Sequence, residues 1–322
     1  MAESSENRHA SSDPGTEPAS DARQDCFPDR PGEFKCGYVA LIGKPNVGKS
    51  TLLNALLGQK ISIVTRKPQT TRNRVLGILT TDNFQVILLD TPGIIDPRYG
   101  LQRAMMKNVK RALGDADLVL FLSDASAGKL DWKSLKFLQG IPALLVLNKM
   151  DIVKQESMLP MVENYVSEFD FEDVIPISAL KKKNLDVLLD AIADRLPYGP
   201  PLYPKEMLSE HPERFFVAEM IREKVFLTLR QELPYSTQID VIRFEEKPGA
   251  KDHIHADIIV ERQSQKGIVI GKNGSTLKKI GSAARIDIEE FLGRPVFLKL
   301  HVKVRSDWRN KDALLRSFGF ET

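Results

Sequence analysis

Cysteine is scarce in this 322-residue chain: there are two, Cys26 and Cys36. Cys26 falls in a polar tail and Cys36 enters an apolar, strand-like run. A disulfide framework is therefore not expected, and a reducing cytoplasm is. Long hydrophobic runs are missing as well. No stretch of about 18 apolar residues occurs, so no membrane-spanning helix is predicted. Residues 1–34 are nearly free of aliphatic side chains and lack the apolar core of a secretory signal. Eight acids against three arginines give them a charge of −5, too acidic for an organellar transit peptide. With so little to bury, they are expected to form a disordered acidic tail.

The rest has the balance of a soluble globular protein, 42% hydrophobic and 28% charged over the whole chain. Its length suits two ordinary domains. Net charge is only +3, but residues 266–316 hold twelve Lys or Arg against five acids, a local +7. Such a block fits a phosphate-rich partner, and the alternative is a plain solvated face. Anionic lipid is a further alternative. Without an amphipathic anchor or lipidation motif, the membrane contact would be peripheral.

Order is expected from residue 36, where CGYVALI reads as a buried strand running into a glycine loop. A helix follows to Leu57 and stops at Gly58. Residues 75–80 and 84–89 read as a hairpin joined by Thr81-Asp82-Asn83. Further strands are expected at 118–122, 143–147 and 174–177, with helices at 101–113 and 185–196. That alternation implies a mostly parallel sheet covered on both faces. Residues 197–204, PYGPPLYP, contain four prolines and exclude helix or strand, so 197–212 reads as a linker between domains at 35–196 and 213–322. The second domain should run as a helix at 215–229, strands at 238–244 and 254–261, a short segment at 267–270, a helix to about 292 and a strand at 296–304.

Gly43-Lys44-Pro45-Asn46-Val47-Gly48-Lys49-Ser50, with Thr51 opening the helix, matches the phosphate-binding loop pattern. The glycines let backbone N–H groups curl around phosphate oxygens, and the helix N-terminus adds partial positive charge. Lys49 is expected on the β- and γ-phosphates and Ser50 on Mg²⁺. Asp90-Thr91-Pro92-Gly93 follows a strand. Its carboxylate can hold Mg²⁺, and the Gly93 N–H can bind the γ-phosphate. In Asn148-Lys149-Met150-Asp151, the Asp151 carboxylate can accept guanine N1–H and N2–H₂, donors that adenine lacks there. An unpaired buried carboxylate would disfavour ATP. Lys149 should lie along the base, Asn148 should tie loops together, and Ser178-Ala179-Leu180 should cover the base. A threonine in the polar stretch 62–74 would contact Mg²⁺ and the γ-phosphate only in the GTP state. Thr71 is the favoured candidate, with Thr70 beside it.

These motifs, in this order, resemble those of the Ras-like, translation-factor-related GTPases, and the bacterial Era family in particular. The resemblance implies a six-stranded sheet and hydrolysis of GTP to GDP, with Lys49, Thr71 and Gly93 in catalysis and Ser50, Thr71 and Asp90 around Mg²⁺. One position departs from the Ras pattern. Ile94 stands where Ras-like enzymes place a water-orienting glutamine, so hydrolysis should be slow unless another element places the water. Asn46 resembles an asparagine that some relatives use to hold K⁺, which suggests stimulation by that ion.

The second domain offers Gly271-Lys272-Asn273-Gly274 between Ile268-Val269-Ile270 and a basic helix carrying Lys278, Lys279 and Arg285. A G-x-x-G loop between helices clamps a nucleic-acid backbone in KH domains. The element order resembles the prokaryotic type of that domain, again as in Era, so the resemblance covers about residues 36–322. The fold expected is an α/β P-loop GTPase domain followed by a smaller α+β KH domain. Single-stranded RNA would lie along Ile268, Ile270, the loop with Lys272 and Asn273, and strand 254–260. For the two isoleucines the alternative is core packing. Trp308 could touch RNA or anchor a terminal helix. His253 and His255 alternate on a strand without a third ligand, so no metal beyond Mg²⁺ is expected. The family implies binding of 16S rRNA and action on the small (30S) subunit, and a monomer is expected. The other readings are a nucleotide-holding RNA scaffold with little turnover and a membrane-associated regulator.

Overall fold

The apolar run at residue 36 becomes strand β1 (Lys35–Ile42) in the computed structural model, which describes residues 34–127, 131–138, 140–154, 156 and 158–322. Apart from Phe34, the expected disordered tail lies outside the described residues, as does Cys26. Helix α1 (Lys49–Leu57) starts directly after Gly48 and stops at Gly58, whose φ of 67° is the left-handed conformation that ends helices. Strands β2 (Val75–Thr80) and β3 (Phe84–Asp90) form the expected antiparallel hairpin. Its turn is fixed by the Thr81 hydroxyl, which accepts from the backbone N–H groups of Asn83 and Phe84 at 3.3 and 3.0 Å.

Then come α2 (Gly100–Asp115), β4 (Leu118–Asp124), α3 (Trp132–Leu135), β5 (Ala143–Asn148), α4 (Met158–Glu168), β6 (Asp173–Pro176) and α5 (Leu185–Arg195). They build one six-stranded sheet in the order β2-β3-β1-β4-β5-β6, parallel except for edge strand β2. Side chains of β1 alternate between two buried layers. Val39 and Leu41 pack with α1 and α5, while Ala40 and Ile42 pack with α2 and α4. Chain order reverses on either side of β1, and ligands of such sheets bind beyond the carboxyl ends of strands at that switch point.

The second unit has α6 (Glu213–Thr228), β7 (Gln238–Glu245), β8 (Asp252–Val260), α7 (Gln263–Ile270), α8 (Ser275–Leu292), β9 (Val296–Val304) and α9 (Asp312–Ser317). The short segment expected before the glycine loop is thus the end of a helix. Its sheet runs β7-β8-β9, with the first pair antiparallel and the second parallel. Ile254, Ala256 and Ile258 of β8 face the helices and are fully buried.

The two units share apolar surface. Leu101, Ala104 and Met105 of α2 pack with Trp308, Leu315 and Phe320 from the C-terminal end. Trp308 is fully buried and donates its indole N–H to Ser236 O at 3.0 Å, which places it as an anchor. The proline-rich segment forms no helix or strand, but it is strapped to the first sheet. Buried Gln85 accepts from the N–H groups of Leu202 and Tyr203 and donates to Tyr203 O, all at 2.8–3.0 Å. Among the described residues, no helix is long and apolar enough to cross a membrane.

Candidate functional site

A cavity of about 810 Å³ opens at the carboxyl ends of the central strands. The glycine loop forms its floor. Gly48 has φ of 103°, and a Cβ there would meet Asn148 Nδ2 at 2.1 Å. Gly93 is equally confined, because its Cβ would meet Pro45 N at 2.5 Å. These approaches are the physical reason for glycine at both positions. Lys49 is 6% exposed and donates to Gly43 O and Lys44 O at 3.0 and 2.9 Å. Burial pushes its ammonium down to about 8 despite the nearby Asp90 carboxylate.

Asp90, at the end of β3, is the centre of an oxygen cluster. Its Oδ2 lies 2.6 Å from Ser50 Oγ, 2.8 Å from Ser62 Oγ and 3.5 Å from Thr71 Oγ1. Ser50 and Thr71 hydroxyls are 2.9 Å apart. Asp90 Oδ1 is buried without a hydrogen-bond partner. Burial raises the carboxyl's pKa, opposed by these hydroxyls and by Lys49. Hard oxygen donors around an under-satisfied buried carboxylate fit a Mg²⁺ ion. Thr70 turns away, and its hydroxyl bonds Thr65 Oγ1 and Lys67 O at 2.8 Å each. Thr91 donates to Leu41 O at 2.7 Å, which pins the start of the loop after β3. The backbone N–H of Ile94 donates to Gly43 O at 3.1 Å, while its side chain is buried in the layer containing Met106, Val109 and Leu147.

Asn148 joins three loops. Its Nδ2 donates to Val47 O at 2.8 Å, and its Oδ1 accepts from Lys149 N and Ala179 N at 2.8 and 3.0 Å. Ser178 Oγ donates to Asp151 Oδ1 at 2.6 Å, which aims an exposed carboxylate along the rim. Lys149 Nζ sits 2.6 Å from Asp124 Oδ2. Leu180 is 73% exposed beside Lys149 and Asp151 in the cavity wall. Met150 opens a short turn whose N–H donates to Ile177 O at 3.0 Å.

Sequence reasoning missed Asp124 and Ser62. Asp124 ends β4 and stands in register with Asn148, so the logic applied to Asp90 could have found it. It also missed Phe226 and Leu227, which reach the cavity from α6. Nothing local in the sequence marks them.

In the second unit the Gly271–Gly274 loop links α7 to α8. Gly271, Asn273 and Gly274 have φ of 74°, 51° and 76°. A Cβ on Gly271 would meet Thr276 Oγ1 at 2.2 Å. Lys272, Asn273, Lys278 and Lys279 are exposed on this side. Ile268 is 60% exposed, whereas Ile270 is half-buried against the core. Val269 between them is fully buried.

Comparisons with known proteins agree with both units. Residues 38–149 match the family described as 50S ribosome-binding GTPase, and residues 232–309 match the KH domain. GTPase Era of Clostridium botulinum (strain Alaska E43 / Type E3) is 46% identical over 292 residues, covering 89% of this chain and 99% of that protein. The chloroplastic GTPase ERA1 of Zea mays is 48% identical over 295 residues, covering 89% of this chain and 70% of that protein. Two solved structures have a TM-score of 0.86 at 41% identity, each covering 90% of this chain and 100% of the other. One is a tyrosine-to-alanine variant of Aquifex aeolicus Era bound to GDP and aluminium tetrafluoride. The other is Era with MgGDPNP and nucleotides 1506–1542 of 16S ribosomal RNA. The chain is a GTPase with a KH domain, and it belongs to the Era family.

Proposed function

We propose that this GTPase uses its nucleotide to control a grip on single-stranded RNA, the 3′ region of 16S rRNA, during assembly of the small (30S) ribosomal subunit. One observation carries the reading: residues 62–74 lie between the nucleotide cavity and the KH domain and bond to both. Thr71 meets the Asp90 cluster, while the Arg222 guanidinium of α6 donates to Thr70 O and the Lys67 ammonium donates to Phe226 O and Leu229 O. A GTP-dependent change there necessarily alters the interface. The KH domain supplies the clamp, with a glycine loop for close approach and lysines for phosphate. The solved relative that holds 16S rRNA nucleotides supports the choice of RNA.

Asp151 accepts the two guanine donors, Lys49 meets the β- and γ-phosphates, and the Gly93 N–H meets the γ-phosphate. Ser50, Thr71 and Asp90 would hold Mg²⁺, which neutralises phosphate charge when bound. Asn46, whose amide N–H donates to Arg66 O at 3.1 Å, would hold K⁺ beside the phosphates through its amide oxygen. Equal hydrolysis rates in Na⁺ and K⁺ buffers would remove that role. The protein would work as a monomer in a reducing cytoplasm, where Cys36, buried and with its thiol pKa raised chiefly by burial, stays a free thiol.

The test is RNA affinity with a non-hydrolysable GTP analogue against GDP, with crosslinking to identify the RNA. Equal affinities would refute nucleotide control. A second reading, a nucleotide-holding scaffold with little turnover, is favoured by the buried Ile94 side chain, which cannot orient water. Multiple-turnover phosphate release with and without RNA separates the two.

A further inference from the structure

Arg72 is the residue after Thr71, and its side chain leaves the GTPase domain. It is 3% exposed. One guanidinium nitrogen donates to Thr237 O at 2.6 Å and Gln238 Oε1 at 3.2 Å. Another donates to Pro234 O at 3.2 Å and Tyr235 O at 3.1 Å. Phe226 and Trp308 lie 5.8 and 6.0 Å from its charge. None of its four hydrogen-bond acceptors is a carboxylate. Buried charges are ordinarily paired, and an apolar side chain would fill this place at lower cost. What an arginine adds is register: its planar fork fits one arrangement of the 234–238 loop.

That loop leads to the RNA clamp. Ser236 Oγ accepts from Gln265 Nε2 at 3.1 Å. Gln265 Oε1 in turn accepts from the N–H groups of Glu261 and Arg262 at 2.9 and 3.1 Å, which closes the N-terminus of α7. Helix α7 ends at Ile270 and is capped by Gly271, the first residue of the clamp loop. A route of hydrogen bonds and chain therefore runs from the Asp90 cluster through Thr71 and Arg72 to the backbone of the 234–238 loop, and from Ser236 in that loop through Gln265 to α7.

We propose that Arg72 is the positioning residue that reports the state of the nucleotide site to the RNA clamp, by setting the 234–238 loop and through it the start of α7. The inference rests on the nucleotide-controlled RNA binding proposed above. When GTP holds Thr71, Arg72 is held in its socket and α7 is fixed. When Thr71 is released, the socket loosens and the clamp loses its support.

The experiment measures affinity for the 16S rRNA fragment 1506–1542 with a GTP analogue and with GDP, and takes the ratio. For the unaltered protein the expected ratio is about fivefold or more, the lower range of measured couplings. Arg72→Gln, Arg72→Lys, Ser236→Ala and Gln265→Ala should each bring it within about twofold of one. Lysine keeps the charge but not the fork, so charge alone should not rescue. Ser236→Ala, a minimal change outside both sites, should keep nucleotide affinity and hydrolysis without RNA. The Arg72→Gln/Ser236→Ala double variant should lose no more than either single. A ratio preserved in these variants, or a fully multiplicative double variant, would overturn the relay alone. A ratio of one in the unaltered protein would overturn the underlying reading and the relay with it.

Discussion

Asn148→Ala is the sharpest test of how the cavity is held open. The side chain is 3% exposed and makes three hydrogen bonds of 2.8–3.0 Å, to Val47 O, Lys149 N and Ala179 N. Its removal strands a carbonyl of the phosphate loop and an N–H of the loop carrying Ser178, and leaves both loops untied. A neutral hydrogen bond of this kind contributes about 1 kcal/mol net. The nucleotide needs all three loops in register, so binding must then supply the order that folding no longer provides. The ceiling is about 3 kcal/mol, roughly 150-fold in Kd. Calorimetric titration with GDP should show weakening of between about tenfold and that ceiling. An affinity within twofold of the unaltered protein would refute the claim that Asn148 preorganises the site.

Ile94→Gln should not speed hydrolysis, because the side chain points into the apolar layer and not at the phosphates. It should instead lower stability by about 1–3 kcal/mol, read by denaturant unfolding beside a phosphate-release assay. Lys272→Ala should weaken RNA binding by a similar factor for every sequence and reduce the slope of log affinity against log salt by about one, measured by fluorescence anisotropy. His211 stacks on Phe215 at 4.2 Å, with its Nε2 3.2 Å from Arg74 O. Burial depresses its pKa, opposed by Glu210. The unfolded chain then binds the proton more readily, so the His211 contribution costs stability as pH falls below about 6.5 and vanishes above it. Tm measured from pH 5 to 7.5 should fall more steeply on the acid side than in His211→Gln.

Much of this protein is written locally. The strands around the cavity are short apolar runs, and the loops at their carboxyl ends carry their chemistry in adjacent residues. Helix α4 was harder to see, since MLPMVENYVSE places a proline in its first turn and Tyr165 is its one fully buried side chain among the described residues. The domain interface was not legible at all. Arg72 reads as one more arginine in a polar stretch, and its acceptors lie more than 160 residues away. Gln85 likewise gives no hint that it will hold the backbone of Tyr203. Trp308 reads equally as an RNA contact or an anchor because either environment suits an indole, and the Ser236 carbonyl settles it only in three dimensions.

Phe226 and Leu227 bring one last consequence. They form part of the wall of the nucleotide cavity, yet they belong to the helix that opens the RNA-binding half. A nucleotide filling the cavity would therefore touch a surface that the other half owns. Its dwell time should then depend on how firmly the two halves are held together.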